Sequence, residues 1–348
     1  MINKIKARKQ TKYEFNALLS NVEVLTKQSE IINLCAAPTG YSWLGVRNAG
    51  KSLFPNCTLE IPQYYSNQIL SDKQLNHLGE AIGRGKFKQL IFNGFNDYFQ
   101  LIIVSAKQVN PEIRIGVIYH GQTTYLNHNP TENRLFKSLI ENVKSKRIDK
   151  IGFVKAGFPG LFKQLLGVDA YHLLLKNKVN EQLQPNEQNI GVMLNDAIAK
   201  NSVTQIVAAL SLKDYNVVAT GEYDLDYLDP NQKLRALGHL NHDDFLDNLG
   251  RNLINSHVTF TESAGGQVFT ESLALGVPCL TSLTHGYLDD HAELKNKLVV
   301  DRFDDAHAIA EQMKSIIDER DHLSNLALSY SMEMNDKATE LLNKFLAG

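Results

Sequence analysis

Twice along this chain, short apolar runs alternate with longer stretches of helical pattern, and that alternation limits the fold more than any other feature. In the first half, IINLCAA, CTLEI, KQLIFNG, IRIGVIYHG and DKIGFVKAG read as strands. Helical patterns such as DYFQLIIVSAKQV and TENRLFKSLIENVKS separate them. Strands joined through helices of ten or more residues pair in parallel, because the crossover returns the chain to the same end of the sheet. The polar stretch KNKVNEQLQPNEQN then interrupts the pattern, which restarts at NIGVML and runs through YNVVATG, SHVTFTE and VPCLTS. Residues 12–29 read as a helix before the first strand, and two helical patterns close the sequence. The expected fold class is α/β, with two doubly wound Rossmann-like domains facing across a cleft. The boundaries are 1–178 for an amino-terminal domain, 179–189 for a linker, 190–325 for a carboxy-terminal domain and 326–348 for a final helix.

Composition agrees with two globular domains and excludes some functions. The 348 residues are 43% hydrophobic and 21% charged, which excludes a disordered chain. A net charge of −2 gives no large field for nucleic acid. Cys35, Cys57 and Cys279 stand far apart without a CxxC pair, as suits a reducing cytoplasm. The histidines lack ligand spacing with acids or cysteines, so no metal is expected. The start MINKIKARKQTKY has no apolar core of a signal peptide, and no apolar run is long enough to span a bilayer. Lys4, Lys6, Arg8, Lys9 and Lys12 precede the first acid, Glu14. Two readings of that cluster stand side by side: peripheral contact with the anionic inner face of the cell membrane, and an ordinary solvated terminus.

GVRNAGKS at 45–52 matches the G-x-x-x-x-G-K-S pattern of a phosphate loop. Its surroundings argue against one. A phosphate loop needs a strand running into the first glycine and a long helix starting near Lys-Ser. Here PTGYSWL separates IINLCAA from Gly45, and Pro55 stops any helix soon after Lys51. The better expectation is a strand, a glycine-bearing loop and a short helix ending before Pro55.

SHVTFTESAGGQVFTESLALGVPCLTS carries more chemistry. It reads as a buried strand, a loop with Gly265 and Gly266, and a helix opening at Gln267 and ending at Gly276 before Pro278. A glycine pair lets backbone approach a ligand, and the helix start faces it with N–H groups and a positive dipole end, as a diphosphate requires. Glu271 lies about one turn into the helix, and a carboxylate suits ribose hydroxyls.

This segment resembles the signature of group-1 retaining glycosyltransferases of the GT-B fold, in Glu271, Ser272, Ala274, Gly276 and Pro278. LRALGHLNHDDFLDNL resembles that family's glycine turn, with Gly238 against the base and His239 beside it. IGVMLNDAIAKNSVTQ resembles the first unit of its nucleotide domain, with Lys200 on a phosphate. IYHGQ resembles the strand that presents an active-site histidine, here His120, and Gly45 belongs to the loop beside the donor phosphates. The resemblance implies sugar transfer from a nucleoside diphosphate sugar to a hydroxyl of a glycan or lipid-linked acceptor, with retention. It implies no metal and no cofactor beyond that co-substrate, an acceptor-binding role for 1–178, a nucleotide-sugar-binding role for 190–325, and a final helix, 326–348, that packs back on the amino-terminal domain. Catalytic roles fall to His120 and Glu262. Two departures keep alternatives open. Glu262 and Glu271 have eight residues between them where the family has seven, and Asn195 stands near the family's arginine. A GT-B subunit that has lost catalysis and supports a partner transferase is one alternative; a nucleotide-sugar epimerase is another.

Overall fold

The computed structural model describes residues 2–37, 44–62, 69–121, 124, 126–179, 185, 188–194, 197–261, 266–282 and 287–348, with side chains from residue 13 onward. Two compact units emerge: residues 1–173 with 340–348, and residues 174–339.

Unit 1 opens with helix α1 (Ile2–Gln28). The sequence placed its start near residue 12. The helix runs further because residues 2–11 contain no glycine or proline and are rich in lysine and arginine, which are good helix formers. Then β1 (Ile31–Ala36), α2 (Leu44–Leu53), β2 (Thr58–Ile61), α3 (Asp72–Arg84), β3 (Gln89–Asn93), α4 (Asp97–Val109) and β4 (Arg114–Tyr119) follow. The unit continues with α5 (Pro130–Lys144), β5 (Lys150–Phe153), α6 (Phe158–Leu166) and β6 (Asp169–His172). Local chemistry sets the helix starts. Ser71 and Gln74 form a reciprocal capping box on α3, Asn96 caps α4, and Asn129 caps α5 with Pro130 in its first turn. The strands pair in parallel in the order β2-β1-β3-β4-β5-β6. Helices cover the sheet, so strands such as β1 and β3 are buried almost throughout, and their near-continuous apolar sequence follows. Phe92, Phe99, Ile32, Leu75, Ile115 and Phe153 belong to one core.

Unit 2 contains β7 (Asn189–Val192), α7 (Ser202–Ser211), β8 (Asn216–Ala219), β9 (Leu234–Ala236), α8 (His242–Gly250), β10 (Ile254–His257), α9 (Gln267–Ala274) and β11 (Cys279–Thr281). Its parallel sheet has the order β11-β10-β7-β8-β9. Helices α10 (Ala292–Leu298), α11 (Ala306–Asp318) and α12 (Arg320–Ala347) follow, and the last residues of α12 belong to unit 1. No described helix is long and apolar enough to cross a membrane.

Candidate functional site

Strand order marks a candidate site in each unit. In unit 2 the chain runs from β7 outward through β8 and β9, then returns to place β10 on the other side of β7. Ligands in such sheets bind beyond the carboxyl ends of the two strands where the direction reverses. The helices that follow those two strands are α7 and α9. Each starts from a residue with left-handed backbone, Asn201 at φ 52° and Gly266 at φ 76°, and no side chain caps either one. Two positive dipole ends therefore lie on this side of the sheet, where they favour an anion. Lys200 lies next to the start of α7, at the end of a 3-10 turn from Ile198.

A fully buried glutamine, Gln205, stitches this region together. Its Nε2 donates to the carbonyls of Lys200 (2.9 Å), Asn201 (3.0 Å) and Val258 (2.9 Å). Its Oε1 accepts from Ser256 Oγ (2.7 Å) and the Val258 N–H (2.8 Å). The Lys200 segment is thereby fixed to the end of β10. Sequence reading missed Gln205; a polar residue on the buried face of IVAAL was the available signal.

Glu271 is buried, at 7% exposure. Gln267 Nε2 donates to its Oε1 at 2.9 Å, one helical turn away. Burial pushes the carboxyl up to about 8, with the Gln267 hydrogen bond acting in the opposite direction. His242 Nε2 lies 3.7 Å from the same oxygen, and burial pulls its pKa down. His242 was read only as part of a helix. Gly238, at φ 64°, turns the chain between β9 and α8 and bridges to Gly221. That turn, with Asn241 capping α8, delivers His242 to Glu271. The structure thus brings Gln267, Glu271 and His242 together. His239 is exposed beside the turn. Glu262, Gly265 and Asn195 lie outside the described residues.

In unit 1 the strand direction reverses between β1 and β3. His120 follows β4 directly and is 4% exposed. Its Nε2 lies 3.2 Å from Asn93 Oδ1, and its Nδ1 is buried without a hydrogen-bond partner among the described residues. Burial pulls the ring down to about 4, so it is neutral at pH 7. Gly45 lies in the first turn of α2. The GVRNAGKS string is helical throughout rather than wrapped around a phosphate. Lys51 Nζ instead meets Glu60 Oε1 at 2.7 Å, and Arg47 Nε meets Glu60 Oε2 at 2.6 Å. Lys51→Ala is therefore expected to leave nucleotide affinity unchanged in a calorimetric titration. A tenfold loss would restore the phosphate-loop reading. Among the described residues no group of three or more His, Cys, Asp or Glu could hold a metal ion.

The arrangement has many structural counterparts. Sucrose-phosphate synthase from Thermosynechococcus elongatus superposes with a TM-score of 0.64 at 12% identity, over 91% of this chain and 99% of that one. A glycosyltransferase from Rickettsia africae gives 0.60 at 12% identity, over 91% and 98%. HepE of Anabaena, solved with UDP and glucose, gives 0.63 at 10% identity, over 89% and 99%. The fold is that of the GT-B glycosyltransferases. No family model matches the sequence, and no curated protein does. Within the GT-B fold the paired, uncapped starts of α7 and α9 fall at the reversal point of the second sheet, and His120 lies at the end of a strand in the first.

Proposed function

We propose that this chain is a retaining glycosyltransferase that moves a sugar from a nucleoside diphosphate sugar to a hydroxyl of a glycan or lipid-linked acceptor. One observation carries the reading: the helices that follow the two strands at the reversal point of the unit 2 sheet start at Asn201 and Gly266 without a side-chain cap from either, with the buried carboxyl of Glu271 on one of those helices. In the reaction the bond from the anomeric carbon to the diphosphate oxygen breaks. The acceptor oxygen bonds to that carbon and gives up its proton to the departing diphosphate oxygen. Negative charge develops on the departing diphosphate, where the N–H groups of α7 and α9 and the ammonium of Lys200 stabilise it without a metal. Glu271 accepts from the ribose hydroxyls. His120 is assigned to a hydroxyl of the reacting sugar, as the sequence resemblance implies, with its Nδ1 as the acceptor. Glu262 and Gly265 are assigned to the donor sugar and diphosphate, as the sequence resemblance implies. The basic residues between Lys4 and Lys12 are assigned to an anionic membrane surface at the cytoplasmic face, where a lipid-linked acceptor is reached.

The test is a thermal-shift series with UDP, GDP, ADP, CMP and ATP, each with and without magnesium. A ligand that binds the folded state raises its melting temperature. The expected result is a rise with one nucleoside diphosphate, independent of magnesium and lost in Glu271→Ala. Absence of any rise at millimolar concentrations would remove the reading. Binding without transfer to any acceptor would point instead to a subunit that supports a partner transferase.

A further inference from the structure

A chain of buried side-chain hydrogen bonds crosses unit 1 in the order in which its strands lie, and it ends on His120. It begins at two backbone carbonyls near the end of α2, those of Gly50 and Phe54. Carbonyl oxygens only accept, so they set the direction of everything after them. Thr58 Oγ1, on β2, donates to Phe54 O at 2.7 Å. Asn33 Nδ2, on β1, donates to Thr58 Oγ1 at 2.8 Å and to Gly50 O at 3.3 Å. The nitrogen of Asn33 is thereby fixed toward α2, and its oxygen faces β3. Asn93 Nδ2, at the end of β3, donates to that oxygen at 2.6 Å. The remaining amide atom of Asn93 is its oxygen, and this is the atom 3.2 Å from His120 Nε2. An oxygen in that position accepts, so Nε2 carries the ring proton and Nδ1 holds a lone pair. Asn33, Asn93 and His120 are buried, which shields the bonds between them from water; Thr58 at the start of the chain is half-buried.

We propose that Asn93, itself oriented by Asn33 and the end of α2, is a positioning residue that holds His120 as the Nε2–H tautomer, so that the imidazole meets a ligand hydroxyl as an acceptor at Nδ1. That the hydroxyl belongs to a sugar rests on the function proposed above; the tautomer does not. The same geometry explains the last glycine of GVRNAGKS. A Cβ on Gly50 would lie 2.3 Å from Cys35 Sγ and 2.9 Å from Asn93 Cγ. Only a residue without a side chain lets α2 come close enough to anchor the amide chain, which is a role for that glycine unrelated to phosphate. Because burial keeps the ring neutral at pH 7, the tautomer decides what His120 can do there.

Long-range proton–nitrogen spectra of histidine-labelled protein read the tautomer directly, with His120→Gln to assign the signal. Unliganded protein at pH 7 is expected to show His120 protonated at Nε2 and bare at Nδ1. In Asn93→Leu the signal shifts toward a mixture of tautomers, and kcat falls about tenfold, the value of one hydrogen bond, while KM for the donor stays unchanged. Asn93→Asp keeps the single tautomer as the buried neutral acid, whose O–H donates to Asn33 Oδ1 while its other oxygen accepts from Nε2–H. Protonation at Nδ1 in the unliganded protein would overturn the proposal, as would an unchanged tautomer in Asn93→Leu. The wild-type spectrum alone decides if that variant does not fold. None of these spectra depends on turnover, so a failure of the transferase reading and a failure of the positioning role are separately visible.

Discussion

Glu271→Gln is expected to melt higher than the parent protein at alkaline pH and to bind no nucleoside diphosphate. The carboxyl has an ordinary value of 4.5 and is raised to about 8 in the folded chain, chiefly by burial. Between those two values the unfolded chain has released a proton that the folded chain keeps. Stability therefore falls as pH rises through that window, and the loss is complete above the folded value. Glutamine is the neutral acid's closest mimic and still accepts from Gln267, so the variant escapes this loss. Melting curves from about pH 5 to 9 should show the two proteins diverging steadily up to about pH 8 and then running parallel. Parallel profiles throughout would show that Glu271 is ionised in the empty site. Binding reverses the preference. Ribose hydroxyls that donate to the carboxyl favour its charged form. Nucleotide binding below about pH 8 should then release a proton, which calorimetry in buffers of different ionisation enthalpy detects. The residue proposed to hold the ribose is thus a source of instability in the unliganded protein, a frequent property of functional positions.

Phe345→Ala is expected to cost unit 1 about 3–5 kcal/mol, the range for emptying a buried aromatic position. Phe345 is fully buried near the end of α12 and packs edge-on against Tyr171 at 5.6 Å between ring centroids. Beneath it lies Lys150, the first residue of β5 and itself fully buried. Its Nζ donates to Phe345 O (2.5 Å), Leu346 O (3.1 Å) and Gln89 Oε1 (3.0 Å), and sits 4.9 Å from the Phe345 ring centroid. The amine thus caps the negative end of a long helix and satisfies carbonyls left without helical partners. Urea unfolding followed through Trp43, the single tryptophan and a unit 1 residue by sequence, measures the effect. A loss below about 1 kcal/mol would mean that the helix end adds little to the unit.

The parallel sheets were legible in the sequence because the information is local. A buried strand such as IRIGVIY and the amphipathic TENRLFKSLIENVKS behind it reveal themselves within a few residues, and Pro55 and Gly276 mark helix ends where they stand. The helical nature of GVRNAGKS followed from the same rules. The placement of His120 at a strand end was also readable, since the apolar run stops there. What escaped notice depends on partners distant in sequence. Asn33 and Asn93 are visible as polar residues in apolar runs, but their link joins positions 60 apart. The Lys150 contact with Phe345 spans 195 positions. His242 looked like one more charged residue in HDDFLDNL, because nothing local shows that the turn at Gly238 brings it to Glu271.

The bond between Lys150 and the last turn of α12 also bears on synthesis. Residues 1–173 of unit 1 emerge from the ribosome with their strands and most of their core available, yet the unit is completed by residues 340–348. Throughout translation of the intervening residues, the Lys150 ammonium keeps only its Gln89 partner, and the apolar surface that Phe345 covers has none. Unit 1 therefore spends that interval as an incomplete fold with exposed apolar surface, the kind of species that aggregates or recruits chaperones. Unit 2 is contiguous in sequence and meets no such delay, so the first unit to be made is the last to be finished.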